Sequence, residues 1–421
     1  MYTSVRDVPG AGGPPTAPGT GTRVGGTVVA LGSVSLLTDV SSEMVTAVLP
    51  VYLTLALGLT PLAFGVLDGL YQGVSVLVRV AAGVAADRTG RPKATAMVGY
   101  GLSAVCKIGL VAAGGAAAIG AVLAVDRTGK GLRTAPRDAL IAGAVPPALL
   151  GRAFGVHRAM DTVGALLGPL AAFALLLYLP GDYDSVFLAS FVVAVLGVAV
   201  LAVFVQERPP RPDTPGPGWR SLGRLLVGRS LRRVLAAAAV LGLLTVSDGF
   251  LYLLLRDQGA VDAQTFPLLF VGTALVYLLL AVPVGRLADR VGRVPVLVAG
   301  HAALLLAYVT LLAGTGAGAA STALVLTALG VYYAATDGVA SALAADLSPA
   351  ALRATGIAAV QTAVAGGRLL SAVLFGLLWT ASDRSTALAV FAAGLAVATV
   401  LAWRLLRGVE RPRDEEVPAR A

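Results

Sequence analysis

The sequence predicts an all-α polytopic membrane protein, with twelve transmembrane helices arranged as two pseudo-symmetric six-helix bundles. Three observations carry this. Of 421 residues, 57% are hydrophobic and only 13% charged, with a mean hydropathy of +0.83, which leaves too little charge to coat a water-facing surface. Apolar segments of about twenty residues recur along the chain, each long enough to cross about 30 Å of hydrocarbon; they are continuous runs, without the alternation of a membrane β-barrel. A short charged motif also occurs twice, once after the second span and once after the eighth.

In order, the expected spans are 26–57, 61–85, 93–114, 117–142, 152–178, 185–206, 233–255, 265–288, 294–315, 320–346, 355–380 and 385–407. Residues 1–24, rich in Gly, Pro and Thr with no apolar centre, read as a disordered tail, and they lack the apolar region of a signal peptide. Residues 25–206 form the first bundle and 233–407 the second, with a cytoplasmic linker at 207–232 and a cytoplasmic tail at 408–421. The linker is rich in Pro, Gly and Arg, and Trp219 with Leu222 to Val227 could form a short helix on the membrane surface.

Charge sets the expected orientation. Arg88, Arg91, Lys93, Arg152, the linker arginines, Arg286, Arg290, Arg293 and Arg353 fall in alternate loops. The other loops hold only Arg256 and Arg384 among five aspartates. By the positive-inside rule both termini are cytoplasmic, as an even number of spans requires, and the expected site is the cytoplasmic membrane of a bacterium. The net charge of +9 follows from these helix ends and gives no reason to expect a nucleic-acid partner. A lone cysteine, Cys106, excludes a disulfide framework and a paired-cysteine metal site. No cofactor and no metal are expected.

The duplicated motif reads G-x-x-x-D-R-x-G-R. Gly83, Asp87, Arg88, Gly90 and Arg91 form the first copy; Gly285, Asp289, Arg290, Gly292 and Arg293 form the second. Gly90 and Gly292 allow a tight turn between antiparallel helices. The aspartates can accept hydrogen bonds at a neighbouring helix N-terminus, and the arginines can pair with carboxylates. A plain basic loop obeying the charge rule would explain one copy but hardly two. A duplicated half is the architecture of a secondary transporter.

These loops, the twelve spans and the long central linker resemble the major facilitator superfamily over residues 26–407. In the fifth span Gly155, Gly164, Gly168 and Pro169 resemble the glycine-proline pattern of the family's drug/proton antiporters, although Ala172 and Phe173 replace its closing glycine pair. Leu37 to Met44 and the fourth span resemble a prokaryotic branch with no assigned substrate. The resemblance implies alternating access, a cavity lined by spans one, four, seven and ten, and the two motifs as conformational latches.

Each of those four spans carries carboxylates: Asp39 and Glu43, Asp126 and Asp138, Asp248, and Asp337. Asp39 and Glu43 are four apart, on one helix face about 6 Å from each other, and in a low dielectric both cannot ionise cheaply. Asp39, Glu43, Asp161, Asp248 and Asp337 are the candidate proton-coupling groups, with permanent structural pairing to Arg79, Lys107 or a fourth-span base as the alternative. The stretch 126–138 holds six ionisable groups in a span, where charge is costly and functional by default. On a helical wheel Asp126, Lys130, Arg133 and Arg137 fall within about 60° of one another, with Arg127 and Asp138 beside them. Such a cationic stripe attracts anionic solutes, so Arg127, Lys130, Arg133, Arg79 and Tyr333 are the candidate substrate-binding residues. Pro136, Gly129 and Gly131 predict a helix that bends or packs closely.

The function expected is secondary active transport of a small solute, proton-coupled, with efflux favoured by the antiporter pattern. Import of an anionic solute is the alternative, argued from the basic stripe, and a non-transporting receptor or scaffold is a remote third. The expected partners are the solute, protons or another coupling ion and the lipid bilayer, with the chain monomeric. No enzyme is expected: His157 and Asp161 have no nucleophile or phosphate loop beside them, and no Walker A sequence is present.

Overall fold

The computed structural model describes residues 26–89, 91–146, 149–205, 228–314, 318–349 and 352–409. The side chains of residues 76–77, 79–89 and 354 are outside that description, as are both termini and the linker segment with Trp219. Among the described residues the first half consists of α1 (Gly26–Val51), α2 (Pro61–Thr89), α3 (Pro92–Ala112), α4 (Ala116–Ala144), α5 (Leu150–Tyr178) and α6 (Tyr183–Phe204). A single π turn, Tyr52–Ala56, extends α1. The second half consists of α7 (Arg229–Leu243), α8 (Asp248–Asp257), α9 (Pro267–Val291), α10 (Arg293–Leu312), α11 (Ala319–Asp346), α12 (Arg353–Ala381) and α13 (Arg384–Leu406).

The expected spans correspond to these helices, with one correction. The seventh, expected as one helix over 233–255, is broken at 244–247 into α7 and α8. Backbone groups freed inside a membrane must find partners, and here other helices supply them. The Tyr308 hydroxyl accepts from the Val246 amide at 2.6 Å and donates to the Leu244 carbonyl at 3.1 Å. The Ser371 hydroxyl donates to the Thr245 carbonyl at 2.7 Å. Outside the spans, Asp182 and Asp383 cap α6 and α13. Hydrogen bonds from Ser185 and from Thr386 hold their carboxyls below the usual carboxylate range.

Small residues bring the helices together. A Cβ on Gly164 would meet the Leu36 carbonyl oxygen at 2.5 Å, and one on Gly168 would meet the Glu43 Cβ at 2.7 Å. Glycine is therefore required where α5 crosses α1, behind Asp39 and Glu43. Gly129 and Gly131 do the same for α4: a Cβ on the first would meet the Gly99 carbonyl oxygen of α3 at 2.7 Å, and on the second the Ser75 carbonyl oxygen of α2 at 2.9 Å. The α4 helix runs unbroken through Pro136. Such close backbone approach suits helix association in lipid, where dispersion and hydrogen bonding replace the hydrophobic drive. On the outside, α6 and α9 leave Val192, Leu196, Leu278 and Leu279 exposed, a surface matched to hydrocarbon.

The halves meet mainly through α2 against α12, α5 against α9 and α1 against α8. At the end formed by the α1–α2 junction and the C-terminal end of α12 the contact is tight. Phe64, Phe250 and Phe375 are at most 1% exposed. Their rings stack edge to face in series, Phe64 to Phe250 at 4.7 Å and Phe250 to Phe375 at 4.8 Å. Trp379 lies 5.7 Å from Phe250, and the Thr380 hydroxyl accepts from the Leu62 amide at 3.0 Å. Toward the opposite end Arg158 of α5, Asp337 of α11 and Gln361 of α12 are exposed.

Candidate functional site: a cavity between the halves

Between the halves, beneath the aromatic plug, lies a cavity of about 270 Å³. The first half contributes Thr46, Leu49 and Pro50 of α1, Phe64, Asp68, Tyr71, Gln72 and Ser75 of α2, and Arg127 and Lys130 of α4. The second half closes it with Asp248 and Gly249 of α8, Phe270 of α9 and Tyr333 of α11. The α1 and α2 residues follow helical spacing. Thr46 and Pro50 continue the face begun by Asp39 and Glu43, and Tyr71, Gln72 and Ser75 follow Asp68 at three, four and seven. That spacing is the signal that could have found Thr46, Tyr71 and Ser75 beforehand.

The charges of α4 divide into four environments. Asp126, 3% exposed, turns toward α3. Its carboxylate accepts from Lys107 Nζ at 3.0 Å and from Arg127 Nε and Nη2 at 3.0 and 2.6 Å. Arg127 in turn lies over the Tyr71 ring, its Cζ 3.6 Å from the ring centroid, a contact worth about 0.5–2 kcal/mol. The Tyr71 hydroxyl is 2.5 Å from the Thr46 hydroxyl. Lys107, Asp126, Arg127 and Tyr71 therefore form one wall of the cavity, with only the last two on its surface.

Arg133 goes elsewhere. It lies over the Tyr100 ring at 4.6 Å and its Nη2 stands 3.9 Å from Asp39 Oδ1; it does not line the cavity. Arg133 Nη1, the Tyr100 hydroxyl, Asp161 Oδ1 and both nitrogens of His157 are buried without a hydrogen-bond partner among the described residues, and His157 Nε2 is 3.7 Å from Asp161. Arg137 pairs with its neighbour Asp138 at 2.9 Å. The fourth environment belongs to Lys130, which lines the cavity. The Lys130 side chain makes no hydrogen bond or ion pair among the described residues. Glu43 likewise has none, though the two lie within electrostatic reach of each other.

The facing wall is acidic. Asp248 begins α8, where a carboxylate is favoured by the helix dipole, and the Tyr333 hydroxyl donates to it from 2.8–2.9 Å. Asp68 accepts from the Gln72 amide at 3.5 Å. Arg368 donates to the Tyr332 hydroxyl at 2.8 Å and lies 5.5 Å from the Tyr333 ring, behind the cavity surface. His301 is buried, with its Nδ1 2.8 Å from the Leu297 carbonyl oxygen, and meets the Tyr332 ring edge to face.

Of the candidate substrate-binding residues, then, Arg127, Lys130 and Tyr333 meet at one cavity, Arg133 sits behind it, and the Arg79 side chain is outside the described residues. Of the candidate coupling groups, Asp248 lines the cavity, Asp39 faces Arg133, Asp161 faces His157, and Asp337 is exposed at the other end. In the first latch motif the side chains of Gly83, Asp87 and Arg88, and all of Gly90, fall outside the described residues, and Arg91 is exposed. In the second, Gly292 adopts φ +98°, which favours glycine. Arg293 pairs with Asp289 at 3.9 Å, contacts Asp346 and donates to the Ala342 carbonyl at 2.9 Å. This copy ties the α9–α10 turn to the end of α11, within one half. Asp289 and Arg290 are exposed.

Two helical bundles enclosing one cavity at their interface define a secondary transporter, and the chain's relatives agree. The family model of the Major Facilitator Superfamily matches residues 31–260 and 245–421; the chain belongs to that superfamily. An uncharacterized MFS-type transporter of Methanocaldococcus jannaschii is 31% identical over 368 residues, 85% of this chain and 90% of that one. An uncharacterized protein of Mycobacterium tuberculosis is 34% identical over 44% of this chain and 45% of its own length. Among solved structures, a mutant form of the nucleoside transporter NupG superposes with a TM-score of 0.80 at 14% identity, covering 90% of this chain and 99% of that one. A peptide transporter of the POT type in complex with sulfate gives 0.76 at 14% identity, covering 91% and 94%. These likenesses extend to the fold alone. The chain is a transporter and not an enzyme.

Proposed function

We propose that this transporter carries a small polar solute through the cavity between its halves by alternating access, driven by protons. The observation that carries the reading is Lys130, a cation lining the cavity with no ion-pair partner among the described residues, in a cavity that also holds Asp68 and Asp248, for which the described residues likewise supply none. A charge held unpaired in a low-dielectric site is costly and is retained for a ligand or a switch. Proton coupling is assigned to Asp39 and Glu43, with Asp161 beside them. Asp39 stands at 3.9 Å from Arg133, long for an ion pair. Around it the unpaired atoms of Arg133, Tyr100, His157 and Asp161 suit the passage of a proton. Because Gly164 and Gly168 press α5 against the α1 face carrying both carboxylates, a change of charge there bears directly on helix packing.

By the positive-inside rule the open end, with the D-R-x-G-R loops, is cytoplasmic, and the aromatic plug closes the outer side. Arg158 and Asp337, both exposed and within electrostatic reach of each other, are positioned to pair when that end closes. Export is the favoured direction, on the antiporter-like Gly164, Gly168 and Pro169 of α5. The test is solute-evoked charge movement in proteoliposomes under an imposed pH gradient, across anionic, cationic and zwitterionic small solutes. Wild type should give saturable currents with at least one solute, and Asp39→Asn or Glu43→Gln should abolish them. Undiminished currents in both variants would remove these carboxylates from coupling.

A further inference from the structure

Four charged side chains line the cavity, and they are sorted by sign: Arg127 and Lys130 on α4, Asp68 and Asp248 on α2 and α8. Their neutralisation is uneven. Arg127 is bound to Asp126 at 2.6 Å, and Asp126 is shared with Lys107 at 3.0 Å, so this trio of two cations and one carboxylate keeps a surplus positive charge. Lys130 adds a second cation without an ion-pair partner among the described residues. Glu43 is the carboxylate that reaches it most strongly, without an ion pair to it, and counting Glu43 this side still keeps one surplus positive charge. Asp39, which also reaches it, stands nearest to Arg133. On the other wall, among the described residues, Asp248 is held by the uncharged Tyr333 hydroxyl and Asp68 by uncharged groups, the Gln72 amide and the nearby Ser247 hydroxyl. Arg368, the guanidinium both carboxylates feel, turns to Tyr332 instead.

The cavity therefore presents surplus positive charge on one side and surplus negative charge on the other. A simple anion satisfies Lys130 and leaves the carboxylates unmatched; a simple cation does the reverse. A solute carrying both signs satisfies both at once, and Phe64, Leu49 and Phe270 offer apolar contact for the body between its charged ends. At about 270 Å³ the space is at the small end for ligand pockets. Resting on the reading of this cavity as the transport site, we infer that the solute is a small zwitterion of amino-acid size. Its carboxylate meets Lys130 beside Arg127, and its ammonium meets Asp248 beside Asp68.

The experiment is calorimetric titration of the full chain in lipid nanodiscs with glycine, β-alanine, 4-aminobutyrate and 6-aminohexanoate. Each is matched to the acid lacking the amine and the amine lacking the carboxylate, as butyrate and butylammonium match 4-aminobutyrate. At least one amino acid should bind about ten- to a hundredfold more tightly than both of its matched compounds, the worth of one hydrogen bond to a charged group. Lys130→Gln should reduce that affinity to the level of the amine, and Asp248→Asn to the level of the acid. A matched acid or amine that binds as tightly as its amino acid overturns the assignment, as does failure of every amino acid to bind. Either failure is distinguishable from failure of alternating access, which is read without solute by distances between the two halves.

Discussion

Replacing Asp126 by Asn removes one negative charge from between two buried cations. In the native chain its carboxylate accepts three charged hydrogen bonds, from Lys107 at 3.0 Å and from Arg127 at 3.0 and 2.6 Å, and all three side chains are at most 4% exposed. The trio then changes from one surplus positive charge to two. Breaking a buried pair in this way costs about 3–5 kcal/mol, because the orphaned charge keeps its desolvation penalty and loses its compensation. At roughly 2–4 °C per kcal/mol for a unit of 150–250 residues, the melting point should fall by about 6–20 °C. Lys107→Met should be milder, since it leaves Asp126 and Arg127 as a neutral pair. Fluorescence-detected size exclusion after graded heating, at fixed pH and salt, reads both. The reasoning is refuted if Asp126→Asn melts within about 1 °C of wild type, or if Lys107→Met is the more damaging of the two.

Two further substitutions address packing and the closed end. Gly168→Leu forces a side chain into the α1 backbone, where even a Cβ would come within 2.7 Å of Val40 and Glu43 atoms; it should destabilise by about 1–3 kcal/mol, and an unchanged melting curve would show that α1 and α5 separate freely. Phe250→Ala empties the centre of the plug formed with Phe64, Phe375 and Trp379. It should cost about 3–5 kcal/mol as a buried Phe truncation and raise the thiol reactivity of a Ser75→Cys reporter from the plugged side. No change in labelling from that side would place the barrier elsewhere.

Most helices were legible in the sequence because each brings about twenty apolar residues to the membrane, whatever it packs against; α2 and α4 are less apolar. The break at 244–247 was not, since Leu244 to Ser247 carry no proline or glycine. What makes the break tolerable, Tyr308 and Ser371, lies on other helices. The site was legible as far as the unusual charges of α4, but not how they divide. A wheel puts Asp126, Lys130, Arg133 and Arg137 on one stripe and implies one environment. The α4 helix, however, packs against α1, α2, α3 and α5, so neighbouring positions on the stripe meet different partners: Lys107 for Asp126, the cavity for Lys130, Tyr100 and Asp39 for Arg133. Spacing from Asp68 puts Tyr71 on the cavity face, but an aromatic residue in an apolar span is ordinarily packing, and it is the guanidinium above it that makes it part of a charged wall.

The central claim, alternating access around the shared cavity, is tested most directly by paired distances across the two ends of the protein. Gly155 of α5 and Gly338 of α11 both have open space where a Cβ would stand, and as cysteines in a Cys106→Ser background they take spin labels across the open end. Leu62 and Thr380, joined by a 3.0 Å hydrogen bond, mark the plugged end on α2 and α12. Electron–electron resonance in nanodiscs at several pH values should give two populations at each pair, with the distance across the open end shortening as the distance across the plugged end lengthens. A single distance at each end, unmoved by pH, would contradict the account.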